Sequence, residues 1–368
     1  MARQTLPRPV KKIDRYLGRM YLVNYAGALA VFILIAMVFD LTEKLDGFLK
    51  HSLSMGQVWN EYYLHFIPYY ANLLSPLFVF IAVIFTGARL AQRNEIITLL
   101  NAGWSFGRIS RPFLGVAFLI GGLNYALSNF VLPPSNRARI RFESLYLRDP
   151  GYSQTRHRQL QTAPGRLVYL ESYSHSDSTG YRMAMDRFGG GQLRWRRSAE
   201  RIRWKSQVEG WELIQVTTKS WNNNAMKVVY DDTLYQKTGF TPEDFGSSLA
   251  ADAFLLDRKE LLTTIRALER KGSEPTEAFW VEHYSRAAIP FSALIFTLMG
   301  LSLATPKKRG GMGPALGWGL GLCFAFIVMQ RFSLTFAIKG NFHPLLAAWT
   351  PNLIFGLATA YLYRKAPR

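Results

Sequence analysis

The stretch "YLVNYAGALAVFILIAMVF", residues 21–39, holds no charged side chain in nineteen positions. A helix rises 1.5 Å per residue, so ~20 apolar residues cross the ~30 Å hydrocarbon core of a bilayer. The run exceeds the ~7–15-residue apolar core of a secretory signal, and no small-residue cleavage site follows it. It reads as a membrane span near 21–40. Working outward, further apolar runs predict spans near 63–88, 112–132, 286–304, 313–334 and 345–363. Pro68 and Pro76 are expected to kink the second, with neighbouring helices satisfying the freed carbonyls.

The formal charge of the 368-residue chain is +19, a value often associated with nucleic acid. Its distribution argues against that partner. Residues 133–281 carry a net charge of only +5, and the other +14 flanks the apolar runs. Basic residues in short connections mark the cytoplasmic side of a membrane. One set comprises Arg3, Arg8, Lys11, Lys12, Arg15 and Arg19, then Arg89, Arg93, Arg108 and Arg111, then Lys307, Lys308 and Arg309, then Arg364, Lys365 and Arg368. With six spans all of these fall on one side. The opposite short loops hold Lys44, Lys50 and Lys339, partly balanced by Asp46 and Glu61. Both termini are therefore expected in the cytoplasm and residues 133–281 outside. A single cysteine, Cys323, rules out a disulfide or multi-cysteine metal site within one chain.

After "VLPPSN" the texture changes to short segments rich in β-branched and aromatic residues: "GRLVYLESY", "GYRMAMDRF", "AERIRWKSQV", "GWELIQVTTKSW" and "MKVVYDDTLYQ". In the third, Ile202 and Trp204 face one way and Arg201, Arg203 and Lys205 the other. Gly189-Gly190-Gly191, Glu209-Gly210 and Asp231-Asp232 mark turns. The reading is an antiparallel domain of sandwich or jelly-roll type. Near 257–271, Asp257 and Glu260 form a capping box ahead of a stripe of Leu261, Leu262, Ile265 and Leu268, ending near Gly272. The fold class is thus an α-helical membrane protein with six transmembrane helices and an inserted all-β domain.

No P-loop, H-E-x-x-H or G-x-S-x-G occurs. His175 and Asp177 sit in a Ser-rich turn and read as a solvated loop. Gly313, Gly317 and Gly321 are spaced four apart within a span, a small-residue face for close helix packing and not a dinucleotide loop. A secondary transporter normally keeps ionisable groups near the bilayer centre. Here Asp40, Arg286 and Arg331 lie near the outer ends, placed for a lipid headgroup or as interfacial anchors.

A chain with spans, an exterior sheet and no visible motor draws attention to "RLAQRNEIITLLNAGWSFGRI", residues 89–109. It predicts an amphipathic cytoplasmic helix over 89–108, closed by Gly103. Leu90, Ile97 and Leu100 with Asn101 share a broad face, extended by Ile96 and Leu99, while Arg93 and Glu95 emerge elsewhere. Such a helix lies on lipid or inserts into a groove of a soluble partner; a central Glu fits docking better.

Four segments carry a resemblance: "KKIDRYLGRMYL", "LAQRNEIITLLNAGWSFGRI", "NFVLPPSN" and "EHYSRAAIPFSALIFTLMGLSLA". In order, and over nearly the whole chain, they resemble the LptF/LptG permease family, the start being nearer LptG. The resemblance implies an inner-membrane permease subunit of an ABC-type lipopolysaccharide exporter. Its implied partners are a second LptF/LptG-type permease, a dimer of the ATPase LptB, LptC and an LptA-type periplasmic bridge. No cofactor is implied on this chain; ATP and Mg belong to the partner ATPase. It implies that Glu95 contacts the ATPase; on the pattern of the helix, Arg93, Ile96, Leu99, Leu100 and Gly103 join it on the expected docking surface. It also implies lipid phosphates near Lys44. A second span-one lysine of LptG-like members corresponds here to Met37; Arg331, on position alone, is a substitute for it, and Arg286 is a further candidate for lipid contact from its place near an outer end. The implied organisation is spans one to three over 1–132, a periplasmic jelly roll over 133–281, and spans four to six over 282–368. Two other readings stand beside it: a secondary transporter, and a membrane-anchored periplasmic scaffold or enzyme.

Overall fold

The computed structural model describes residues 10–147, 154–174, 177–206, 209–222, 225–242, 253–271, 276–305, 313–340 and 342–366. His175, the Lys307–Lys308–Arg309 turn, Gly272, Arg3, Arg8 and Arg368 lie outside the described residues. The helices are α1 (Val10–Lys50), α2 (Met55–Gln92), α3 (Glu95–Asn101), α4 (Phe106–Tyr146), α5 (Arg258–Lys271), α6 (Glu277–Ala304), α7 (Gly313–Lys339) and α8 (Pro344–Lys365). The strands are β1 (Gln154–Ala163), β2 (Arg166–Ser174), β3 (Thr179–Gly189), β4 (Gln192–Lys205), β5 (Gly210–Asn222) and β6 (Ala225–Gln236). Two compact units result, one of 1–142 with 280–368 and one of 143–279.

In the first unit, α1, α2, α4, α6, α7 and α8 are each long and apolar enough to cross a membrane. The chain is a multi-pass membrane protein. The helices outrun the apolar runs that announced them: α1 has 41 residues, about 60 Å at 1.5 Å per residue. The third span differs most from expectation. The span is expected near 112–132, just short of Pro133 and Pro134, yet the helix continues through both to Tyr146. A proline removes an N–H and crowds the carbonyl four residues back. Residues 127–131 answer by widening into a π turn, which relieves that crowding, and the Asn129 amide caps the Tyr125 carbonyl at 2.8 Å. The compact units divide at 142/143.

Helix α2 lies against α1, α6 and α7, with Val79, Val83 and Ile84 fully enclosed. Two glycines make this possible. A Cβ on Gly300 of α6 would lie 2.2 Å from Val83 Cγ1, and one on Gly319 of α7 would lie 2.3 Å from Ile84 Cδ1. By contrast a Cβ on Gly313, Gly317 or Gly321 meets nothing within 4 Å. The four-residue glycine row read from the sequence is thus not the face this chain packs on itself. Close approach is what matters for helices in lipid, and only Gly319 on α7 supplies it here. Rings then join four helices: Phe80 to Phe296 at 5.0 Å, Phe296 to Phe326 at 4.9 Å and Phe326 to Phe355 at 5.3 Å.

Neutral hydrogen bonds fix α1 to its neighbours. Tyr21 Oη and Thr297 Oγ1 are 2.9 Å apart, Asn24 donates to Thr86 at 2.8 Å, and Tyr25 meets Ser75 at 2.8 Å. Asn124 of α4 donates to the same Ser75 at 2.6 Å. Such bonds between spans average ~0.6 kcal/mol, with a maximum near 1.7.

The second unit is one antiparallel sheet in sequential order, β1-β2-β3-β4-β5-β6. Gly190 and Gly191, with φ of 60° and 77°, close the β3–β4 hairpin as a two-residue turn needing positive φ at both positions. Val168, Leu170, Met183, Ile202 and Leu213 form its buried face around a fully buried Trp211. The expected alternation holds: Ile202 is buried while Arg201 and Arg203 are exposed. Asp231-Asp232 is not a turn. Both residues lie inside β6, with Asp231 opposite Val216. An edge strand exposed along most of its length tolerates a solvated acidic pair, which also blunts the edge. Helix α5 carries its capping box as expected: Glu260 N–H donates to Asp257 at 2.8 Å and Asp257 N–H to Glu260 at 2.9 Å, with Leu261 and Ile265 buried.

One acid in the sheet sets a pH response. Tyr235 Oη donates to Glu212 at 2.5 Å, and Lys205 Nζ lies 3.3 Å from its other oxygen. The Tyr235 hydrogen bond, then Lys205, hold the Glu212 carboxyl below the usual glutamate range. A folded pKa below the unfolded one, about 4.3, gives stability that is present above that value and lost as pH falls through the folded pKa. Thermal melts of the full-length protein followed at the sheet should therefore lose stability below about pH 4. Glu212→Gln should flatten part of that acid limb, and an unchanged limb would count against the assignment.

Candidate functional site

Both ends of the helical unit collect charge, and they differ. At one end the start of α1, the α2–α4 connection and the end of α8 converge. Arg108 of α4 donates to Asp14 of α1 at 2.6 Å and stacks over Trp104 at 4.8 Å. Phe106 meets Tyr363 of α8 at 5.3 Å. Around these contacts Lys12, Arg15, Arg19, Arg93, Arg111 and Arg364 are exposed.

The connection itself is three pieces and not one helix over 89–108. α2 runs on through Gln92, and Asn94 then adopts φ 59°. Asparagine is among the few non-glycine residues that accept this left-handed conformation, so the chain reverses there. The seven residues of α3 follow. Gly103, at φ 84°, closes it as expected, and Ser105 caps α4 by accepting from Arg108 N–H at 3.2 Å.

This geometry redistributes the predicted face. Ile96 is 1% exposed and belongs to the transmembrane core, with Leu99 and Leu100 packed against it. These three were expected to meet a partner; within this chain Ile96 is buried and Leu99 and Leu100 are partly buried, and together they anchor α3 to its own bundle. Ile97, Thr98, Asn101 and Ala102 face outward. Glu95 sits at the first turn, half-buried, with Arg93 3.9 Å away and the Tyr16 hydroxyl 3.5 Å away. An ion pair this long and exposed contributes little, on the order of 0–1 kcal/mol, so the carboxylate stays available. Asp14, Tyr16 and Trp104 were missed as members of this end. One signal was present: Asp14 is the lone acid in the first twenty residues.

The opposite end is paired. Lys44 lies 2.8 Å from Asp40, hydrogen-bonds Tyr62 and stands 4.6 Å over its ring, while Tyr62 donates to Asp40 at 3.0 Å. Arg286, expected at a headgroup, is only 5% exposed, and its Nε donates to Glu282 at 2.8 Å. An arginine one turn after a glutamate in a packed helix is neutralised before any ligand arrives. Arg331 differs: it is exposed on α7, among exposed Phe324, Phe332 and Phe336. It sits eight residues before Lys339, about 12 Å inside that helix end. Among the described residues, no group of three or more His, Cys, Asp or Glu is placed to hold a metal.

Six long apolar helices interrupted in the chain by a six-stranded sheet, with a short helix locked into one end of the helical unit, define a multi-pass membrane protein. A family model described as lipopolysaccharide export system permease LptF/LptG matches residues 15–365. The chain belongs to the LptF/LptG family. No curated protein matches it.

Proposed function

We propose that this chain is the non-catalytic membrane subunit of an ABC-type exporter that lifts lipopolysaccharide from the inner membrane toward a periplasmic bridge. The observation that carries the reading is α3: a short helix at the basic end, held by Ile96, Leu99 and Leu100 against the bundle, with Ile97 outward and Glu95 half-exposed. A helix fixed in this way moves with α2 and α4, so a push on it from a soluble ATPase displaces the spans. The basic end is cytoplasmic on the distribution of arginine and lysine. The sheet unit is then periplasmic and serves as the family's jelly roll, passing acyl chains to further sheets by strand pairing at an open edge.

Moving acyl chains through water costs ~0.8 kcal/mol per CH₂. A multi-chain lipid must travel between apolar surfaces instead. Span one exposes Val31, Leu34, Ile35, Val38 and Phe39, and span five exposes Phe324, Phe332 and Phe336; both pack on α2. These faces form the lipid path with a second LptF/LptG-type permease. Arg331, exposed at outer-leaflet depth, meets the lipid phosphates, and Lys44, paired with Asp40 but partly exposed, stands at the end of the path. The interior polar bonds Tyr21–Thr297, Tyr25–Ser75 and Asn124–Ser75 link hydroxyls and an amide, not carboxylates or histidines.

The test is affinity purification from native bacterial membranes through a tag on this chain, with mass spectrometry of proteins and lipids. Co-purification of an LptB-type ATPase, a second permease and a phosphorylated glycolipid is the expected result. Cation-driven lipid flux in vesicles containing this chain without any ATPase would overturn the reading.

A further inference from the structure

Besides the cargo path, the bundle carries a groove with a polar head and an apolar body. It lies between α1 and α4 and has a volume of about 460 Å³, within the range of ligand-sized clefts, about 300–1,000 Å³. α1 contributes Arg15, Gly18, Arg19 and Leu22; α4 contributes Pro112, Gly115, Val116 and Leu119. Each set follows helical i, i+3, i+4, i+7 spacing, so two matching stripes face one another. Gly18 and Gly115 hollow the trough. A Cβ on Gly115 would meet nothing within 4 Å.

The charge is all at one end. Arg15 and Arg19 are exposed one turn apart at the rim, while Leu22, Val116 and Leu119 line the far part. Asp14 also borders the rim, but Arg108 holds its carboxylate at 2.6 Å, so the rim remains net positive. A basic pocket between spans at the arginine-rich face suits an anionic lipid headgroup, and an apolar trough running toward mid-membrane suits its chain.

We propose that this groove binds an anionic phospholipid of the adjacent leaflet, its phosphate on Arg15 and Arg19 and one acyl chain along Gly18, Leu22, Gly115 and Leu119. The site is separate from the cargo path and stands whether or not α3 docks an ATPase. A helix of another protein is the competing occupant. It would fill the trough but leave two exposed arginines without an anion.

The experiment is native mass spectrometry of the delipidated full-length protein, titrated with phosphatidylglycerol and with phosphatidylcholine of identical chains. One saturable phosphatidylglycerol site is expected, with phosphatidylcholine at least tenfold weaker. Arg15→Ala with Arg19→Ala should weaken phosphatidylglycerol about thirtyfold, at about fivefold per arginine. Arg15→Lys with Arg19→Lys should stay within a few-fold of wild type. Gly115→Leu, whose Cβ meets nothing within 4 Å, puts a side chain into the trough and should abolish the site while leaving the melting temperature unchanged. Equal binding of the two lipids, or wild-type phosphatidylglycerol binding by Gly115→Leu, overturns the proposal. So does a Gly115→Leu variant that loses a bound protein partner while keeping the lipid.

Discussion

Glu95→Arg is expected to cut coupled lipid release at least tenfold while leaving the protein folded. Truncating or reversing one member of an interfacial charge pair costs about 2–5 kcal/mol, which is about thirtyfold or more in docking affinity. The fold should not notice, because the Arg93 contact at 3.9 Å is weak and α3 is held by Ile96, not by its charges. Two measurements on the assembled complex in proteoliposomes check this: ATP-dependent release of lipopolysaccharide should fall at least tenfold, on the same scale, and the melting temperature should stay at the wild-type value. Glu95→Ala should show a smaller loss, and a basic-to-acidic change at the facing position of the ATPase should restore the Arg variant. Full transport by Glu95→Arg would remove the docking role from this residue.

Gly300→Val carries the largest expected effect on stability. Its Cβ would lie 2.2 Å from Val83 Cγ1 and 3.0 Å from Phe80 Cδ2, inside a part of the bundle where Val83 is fully buried. Overpacking of this kind costs about 1–3 kcal/mol or more. Even Gly300→Ala should lower the melting temperature in detergent, and Val83→Ala should return part of the loss by making room. Gly317→Ala is the internal control: the same change in a helix of similar depth meets open space and should be neutral within this chain. Equal behaviour of Gly300→Ala and Gly317→Ala would show that α2 and α6 are not packed as described.

The two results separate what each level of description contributes. Spans were legible because ~20 apolar residues in a row have few other fates. Strands were legible because alternation such as Ile202 and Trp204 against Arg201 and Arg203 has a period of two. The Asp257–Glu260 box announced α5 through local hydrogen bonds alone. The errors share a cause. The third span is expected to close near 132 and Asp231-Asp232 to turn, because apolarity and local propensity do not show where a π turn or an exposed edge strand carries the chain on.

The candidate site divides along the same line. Periodicity located the 89–109 segment, and glycine chemistry placed a break at Gly103, since both depend on neighbours within a few residues. It could not decide which apolar residues of α3 faced inward, nor that Arg286 would be spent on Glu282, nor that Gly319 and not Gly317 would touch another helix. Local sequence determined where helices and strands exist and which ends are basic, because those properties are summed over adjacent residues. Which faces meet, and hence which charges remain available for a partner or a lipid, was decided only when helices far apart in the chain packed against one another.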